Sequence, residues 1–409
     1  MIKRGISSFS GKRILLLQGP LGPFFHRLAR DLEWAGAKVC KVNFNGGDWL
    51  FFRQGIPFRG QVEEWPDFFE KLLVEREIDI VLLFGDCRPL HHTAHEIATR
   101  RGVDIGVFEE GYIRPDYITF EQYGVNFNST LSQIPEEYQY ISSAPPIETE
   151  SVGNTIWYAA LWATLYYLAG TLLYPFFPHY RHHRPFHLLE GFIWCRSIWR
   201  KWYYALKESG LEQMLTQPSV SLNFFLVPLQ VHNDAQISSH SEFESVQDFI
   251  CETICSFATQ APEGTFLVIK HHPLDRGYHD YNRIIRQYSR QHNVRRRVLY
   301  LHDQHLPTLL LHARGVVVIN STVGFSALHH NTPVKVCGRA LFDLPGLTFQ
   351  GSLNSFWTKA SECRIDRDFF KRFRAYLIEH SQLNGSFYKR LNVPGSHAGL
   401  HWVVQEKSD

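Results

Sequence analysis

The feature that most constrains this chain is a strand–helix rhythm that runs, breaks, and runs again. Arg13–Leu17 reads as a strand, Phe24–Trp34 as a helix, and Ala37–Val42 as a second strand. Ile78–Phe84 and Val103–Phe108 follow as strands, with a helix around His92–Arg101 separating them. The rhythm resumes with strands at Leu222–Val227, Phe266–Ile269, Val298–Leu301, Gly315–Ile319 and Val334–Val336. Helical stretches at Glu242–Ala258, Tyr278–Gln291, Leu306–His312 and Thr322–His329 separate them. Short, wholly apolar strands alternating with amphipathic helices predict doubly wound parallel sheets. The expected organisation is an α/β domain over residues 1–145, a helical insert over 146–215, and a second α/β domain over 216–409 that ends in helices. At 44% hydrophobic and 20% charged, the 409 residues can build two cores.

The insert is of a different kind. From Ser151 to Tyr180 there is no Asp, Glu, Lys or Arg. The stretch IWYAALWATLYYLAGTLLYPFF is long enough to span a bilayer, yet it is full of Tyr and Trp and is broken by Pro175 and Pro178. Residues 151–210 hold six Lys/Arg, two Asp/Glu and five of the ten Trp. Aromatics beside cations are the composition of a membrane-interface segment, with Trp194, Trp199 and Trp202 as the expected membrane contacts. A net excess of four cations could contribute up to about 4 kcal/mol on an anionic surface, at roughly 1 kcal/mol each. An internal helical subdomain and a true span are the other readings.

Charge and cysteines narrow the class. Lys+Arg total 42 and Asp+Glu 40, a net charge of +2, without the positive excess of a nucleic-acid binder. No pair among the seven cysteines has metal-ligand spacing, and the expectation is reduced thiols in a cytoplasmic body. The opening MIKRGISSFSGKR carries no apolar signal core. His179, His182, His183 and His187 cluster without carboxylate or thiolate company, and no metal is expected there.

Polar clusters recur at the carboxyl ends of the predicted strands, where α/β folds bind ligands. Gln18-Gly19-Pro20 follows the first strand, and Asn45 and Asp48 follow the second. They suit substrate recognition, although a tight strand-to-helix turn and a polar loop look the same. Glu109-Glu110-Gly111 places two carboxylates together, a costly arrangement unless one is protonated or positioned for chemistry, with a structural salt bridge as the alternative. Lys270-His271-His272-Pro273 brings imidazoles to a strand end. Gln230 and His232 follow another strand, and Asn320, Ser321 and Thr322 open a helix, where either an anion site or an ordinary N-cap fits. Asp366-Arg367-Asp368 spells a D-x-D, but at the start of a helix, where acidic residues complement the dipole.

A fuller set of strings carries a family resemblance. LQGPLGPFFHRLA, VNFNGGDW, FEEGYIRPDYIT, VPLQVHNDAQI, VIKHHPLDRG, LYLHDQHLP and VVVINSTVGFSALHHNTPVKVCG extend from about Arg13 to Trp357. Together they resemble the KpsS/LipB-type capsular polysaccharide proteins, β-Kdo transferases of Gram-negative bacteria. The resemblance implies a GT-B-like fold of two Rossmann-like domains with the active site in the cleft. It implies CMP-Kdo as donor substrate with no further cofactor, and (lyso)phosphatidylglycerol as acceptor. It implies a retaining reaction on the glycolipid linker of capsule, at the inner-membrane surface. The linker-extending Kdo transferase and the capsule ABC exporter are the implied partners. Glu110 and Glu109 are then the reacting carboxylates, with Glu110 favoured for the direct role and His272 as donor to the leaving phosphate. His271, Pro273, Lys270, Ser321, Thr322, Asn320, Gln230 and His232 would hold the CMP group, and Gln18, Gly19, Asn45, Asp48 and Arg114 the other substrate. Related transferases often carry Asp within the Glu-Glu-Gly motif, which leaves open which carboxylate reacts. The competing readings are a sialyltransferase-like enzyme using another CMP-keto-sugar, and a non-catalytic capsule assembly or export factor.

Overall fold

The computed structural model describes residues 5–143, 149–181 and 190–402. In chain order the strands of the first half are β1 (Arg13–Leu16), β2 (Lys38–Asn43), β3 (Ile56–Pro57), β4 (Ile80–Phe84), β5 (Asp104–Glu110) and β6 (Tyr117–Gln122). Those that follow are β7 (Phe224–Pro228), β8 (Phe266–Lys270), β9 (Val298–Leu301), β10 (Gly315–Val318), β11 (Val334–Val336) and β12 (Gln382–Asn384). The helices of the first half are α1 (Phe24–Trp34), α2 (Gly46–Phe51), α3 (Trp65–Glu75), α4 (Pro89–Arg100) and α5 (Ile156–Leu172). Then come α6 (Glu190–Lys207), α7 (Leu211–Thr216), α8 (Ala235–His240), α9 (Val246–Gln260) and α10 (Asn282–Gln291). The last are α11 (Leu306–His312), α12 (Val323–His329), α13 (Leu353–Lys359) and α14 (Arg367–His380).

Two α/β units result, each Rossmann-like as the strand–helix rhythm requires. Their boundaries differ from those drawn on the sequence. The first unit comprises residues 1–131, 142–187 and 374–409, and the second 132–141 and 188–373. The expected insert is therefore divided: α5 packs with the first unit and α6 belongs to the second. The chain also returns to the first unit at its end, because β12 pairs antiparallel with β6 and completes that sheet.

The first sheet runs β12-β6-β5-β4-β1-β2-β3, with β6 alone reversed, antiparallel to both its neighbours β5 and β12. Its central strand β4, IVLLF, is apolar throughout, as a strand covered on both faces must be. Phe108 of β5 and Phe120 of β6 stack with ring centroids 4.3 Å apart, and Phe24 of α1 meets Phe387 edge-on at 4.8 Å. The second sheet runs β11-β10-β7-β8-β9 and is parallel throughout. In both sheets the strand order turns back beside the first strand of the unit, between β1 and β4 and between β7 and β10. Such switch points open a crevice at the carboxyl edge, where ligands of doubly wound folds bind.

Helix α5 explains why its sequence looked like a membrane segment. Tyr166, Tyr167, Ala169 and Gly170 are buried, whereas Trp157, Leu161, Leu168 and Leu172 are exposed. It lies so close to α2 that a methyl group on Gly47 would sit 2.6 Å from the Tyr166 ring. Among the described residues, no helix is long and apolar enough to cross a membrane.

Candidate functional site

At the first switch point, Gln18 follows β1 and Arg88 follows β4. The Gln18 amide donates to the hydroxyls of Tyr180 at 2.7 Å and Tyr166 at 3.0 Å, and its carbonyl accepts from Arg88 Nη1 at 3.1 Å. Tyr166 in turn donates to Asp48 Oδ1 at 3.0 Å and accepts from Asn45 Nδ2 at 2.8 Å. Asn45 caps α2 through Gly47 and Asp48 N–H, and Asp48 Oδ2 accepts from Phe44 N–H at 3.0 Å. Lys41 is buried 3.8 Å from Asp48; burial pushes its ammonium down in pKa and Asp48 offsets part of that. Burying this many polar groups requires that they satisfy one another.

Asn45 and Asp48, expected to contact substrate, are thus committed to holding α2 and α5 on the sheet. Gly19 has a packing reason, since a methyl group there would lie 2.8 Å from the Phe25 ring. Arg114 is exposed and donates from Nε to the Gly111 carbonyl at 3.1 Å.

The two glutamates end β5, where β6 pairs Glu109 with Thr119 and Glu110 with Ile118. Adjacent side chains on a strand project to opposite faces, and their surroundings differ accordingly. Glu109 Oε1 accepts from the Glu110 N–H at 2.9 Å. Burial pushes the Glu109 carboxyl up to about 7; that N–H pulls it back, the Glu110 charge adds to the rise, and Arg88 opposes it. Glu110 Oε1 accepts from the Tyr388 hydroxyl at 3.0 Å. Burial and the neighbouring Glu110 raise the phenol well above its usual range, so Tyr388 stays protonated and serves as the donor.

At the second switch point, Gln230 Nε2 donates to Asn320 Oδ1 at 3.0 Å and to Asp234 Oδ2 at 2.9 Å, joining the loops after β7 and β10. Ser321 Oγ accepts from Val323 N–H at 3.2 Å, as a capping residue does, and Thr322 is the cap residue of α12. His232 Nδ1 bonds the carboxylate of buried Asp275, which also accepts from the Tyr281 hydroxyl at 3.2 Å.

The Lys270–Pro273 run divides. Lys270 and His271 are buried beneath the strand end. Lys270 Nζ donates to the His302 carbonyl at 3.5 Å, and burial lowers its pKa. His271 Nδ1 bonds the Tyr300 hydroxyl at 2.6 Å, and burial pushes its pKa down to about 3, so the ring is neutral. Both expected ligand contacts are therefore turned into the protein. His272 is half-buried beside exposed Pro273, and its Nδ1 accepts from Leu274 N–H at 3.2 Å. With Nδ1 accepting, the ring N–H is carried on Nε2.

Helix α6 is fixed to the second unit by Tyr204, whose ring stacks on His302 at 3.4 Å, and by Arg200, which donates to the Arg276 carbonyl at 2.8 Å. Trp199 and Trp202 are 63% and 74% exposed, while Trp194 is half-buried. Among the described residues no cluster of three or more His, Cys, Asp or Glu could hold a metal. Of the histidine cluster, His179 is exposed, and His182, His183 and His187 lie outside the described residues. Asp366 accepts from the N–H groups of Asp368 and Phe369, the helix-start role read from the sequence.

Sequence reasoning missed Arg88, Tyr166, Tyr180, Tyr388 and Asp275. Tyr388 lies 278 residues from the glutamate it serves, and no local spacing signals such a pair. The tyrosines of the insert were legible only as aromatics.

Comparison with known proteins places this geometry. Residues 79–388 match the family described as capsule polysaccharide biosynthesis protein. The chain is 41% identical to the capsule polysaccharide export protein KpsS of Escherichia coli, over 93% of this chain and 97% of that one. It is 38% identical to the capsule polysaccharide modification protein LipB of Neisseria meningitidis serogroup A, over 95% and 94%. Among solved structures, the β-Kdo 2,7 transferase KpsC of Thermosulfurimonas dismutans aligns over 94% of each chain at 14% identity and a TM-score of 0.43, too loose a likeness to bear on chemistry. With near full-length identity to KpsS and LipB and a family match over most of its residues, the chain belongs to the capsule polysaccharide biosynthesis protein family.

Proposed function

We propose that the protein is a retaining, metal-independent β-Kdo transferase that uses CMP-Kdo and glycosylates (lyso)phosphatidylglycerol to begin the capsule glycolipid linker. The observation that carries this reading is the pair of adjacent carboxylates held in unlike environments: Glu109 pushed up to about 7 by burial, and Glu110 oriented by the Tyr388 hydroxyl. Retention by two displacements needs a carboxylate nucleophile and a second group that exchanges protons near the working pH. In this reading Glu110 attacks the anomeric carbon and CMP departs with the bonding electrons. Glu109 then takes the proton of the acceptor hydroxyl as its oxygen displaces Glu110, and β configuration returns.

The second unit supplies the nucleotide contacts, with His272 Nε2–H donating to the departing phosphate. The Gln230–Asn320 pair and Ser321 sit at that unit's switch point. A cytidine monophosphate leaving group carries less charge than a nucleoside diphosphate, so such donors can stabilise it without a cation. The exposed faces of α5 and α6 suit attachment to the inner-membrane surface, where a lipid acceptor resides.

The test is mass spectrometry of labelled lysophosphatidylglycerol after incubation with the purified protein and CMP-Kdo formed in situ, with EDTA present. A gain of one Kdo is the expected result. Intact acceptor beside intact CMP-Kdo and folded protein would refute the reading. A gain only with CMP-sialic acid would transfer it to another keto-sugar.

A further inference from the structure

The first unit holds a cavity of about 200 Å³ at its switch point. Buried Phe44 and Phe58, half-buried Leu90 and exposed Val62 form apolar walls. Gln18 and Arg88 contribute from the strand ends, and exposed Arg181 from the rim. Among the described lining residues there are two guanidinium groups and no carboxylate. His91 adds no charge, because burial, with Arg88 adding to it, pushes it down to about 3 despite the bond between its Nδ1 and the Gly85 carbonyl at 2.8 Å. Such a cavity complements a ligand with a phosphate anion and an aliphatic part.

Three observations narrow the ligand further. The volume is below the ~300–1,000 Å³ typical of sites for whole drug-sized ligands, so a headgroup fits and a full acyl chain does not. The segment that brings Arg181 to the rim leaves α5 through Leu172, Tyr174 and Phe176, all exposed, so apolar surface continues outward along the chain. Arg88 and Glu109 both approach Gly85 in the turn after β4, and the Arg88 charge opposes the rise in the Glu109 pKa. A methyl group on Gly85 would lie 3.3 Å from Glu109 Oε2 and 3.6 Å from Arg88 Nε.

We infer that this cavity is the acceptor subsite: Arg88 and Arg181 take the phosphodiester of an anionic glycerophospholipid, Phe58, Val62 and Leu90 take the adjoining aliphatic carbons, and the glycerol hydroxyl is delivered toward Glu109. The inference rests on the transferase reading for the identity of the reaction, but not for binding.

The experiment titrates the full-length protein with short-chain lysophosphatidylglycerol below its micelle concentration, and separately with glycerophosphoglycerol, inorganic phosphate and CMP. Arg181→Gln and Val62→Trp alter exposed positions and spare the fold; Arg88→Gln is the deeper variant. Each of the first two is expected to weaken lysophospholipid binding at least tenfold and to leave CMP binding unchanged. The soluble headgroup should bind more weakly and lose affinity in Arg181→Gln. Wild-type lipid affinity in both Arg181→Gln and Val62→Trp overturns the inference. Phosphate binding as tightly as the lipid, or CMP affinity falling in parallel, overturns it too. A protein that transfers no Kdo yet loses lipid binding in these variants refutes the reaction and supports the subsite. One that transfers Kdo with unchanged KM for lipid in both variants does the reverse.

Discussion

Glu121→Gln probes a buried carboxyl group that the proposed reaction does not use. Glu121 lies on β6 and is 3% exposed. Burial pushes it up to about 7; hydrogen bonds from Ser129 and Tyr112 pull it back, and Asp86 adds to the rise. In an unfolded chain its value is 4.5. Across that window the folded protein keeps a proton that the unfolded chain has released. Its stabilising contribution is therefore complete below about 4.5 and is lost as pH rises through about 7. At about 1.36 kcal/mol per pKa unit the whole gap is about 3 kcal/mol, of which about 2.5 kcal/mol falls between pH 5 and pH 8. Gln cannot ionise, so the variant escapes this loss. Urea unfolding of both proteins at pH 5 and pH 8, followed by circular dichroism, isolates the group, because every other titration is common to both. The stability of the variant relative to wild type should be greater at pH 8 by about 2 kcal/mol or more. An equal difference at the two pH values would refute the reasoning.

Other outcomes follow from the site and the surface. Glu110→Gln should lower transfer by at least about a thousandfold, on the order of 4 kcal/mol of transition-state stabilisation, with CMP binding retained; unchanged turnover removes Glu110 from the chemistry. Glu109→Gln should abolish the limb of the pH–rate profile near 7, and a profile identical in shape to wild type would contradict its proton-transfer role. Tyr388→Phe removes one donor to Glu110 and should slow transfer about ten- to a hundredfold with little change in KM for donor, which steady-state kinetics would reveal. Replacing exposed Trp199 and Trp202 with Ser should reduce sedimentation with anionic liposomes, whereas Trp194→Ser should act mainly on stability because that ring is half-buried.

Much of the fold was legible because wholly apolar strands such as Ile80–Phe84 and Gly315–Val318 advertise a covered parallel sheet. Helices α1 and α11 and strands β9 and β11 have the ends their patterns predict. Strands β3, β6 and β12 were missed. Tyr117–Gln122 mixes polar and aromatic residues, and Gln382–Asn384 is too short to show a period. At the site, residue type located the strand ends but did not show which groups remain available. Asn45 and Asp48 look the same in sequence whether they bind sugar or bind Tyr166. His271 and His272 are chemically alike and adjacent, yet one is buried against Tyr300 and the other lies at the edge. Arg88 stands in no motif. Its meaning comes from the crossing of β1 and β4, which sets it beside Gln18, 70 positions away.

The return of the chain to its first sheet orders events during synthesis. Residues 188–373, the bulk of the second unit, form one unbroken stretch and can close on contacts within it. The first unit begins earlier but must wait. Its β6 edge is covered only when β12 arrives, and buried Asp31 on α1 awaits the N–H groups of His397 and Ala398. Long-range pairings of this kind are the slow ones. The ribosome thus delivers the halves out of order, the later finishing before the earlier. Tyr388, the hydroxyl that orients Glu110, travels in the same late segment. The proposed nucleophile therefore gains its partner only after the bulk of the second unit has been translated.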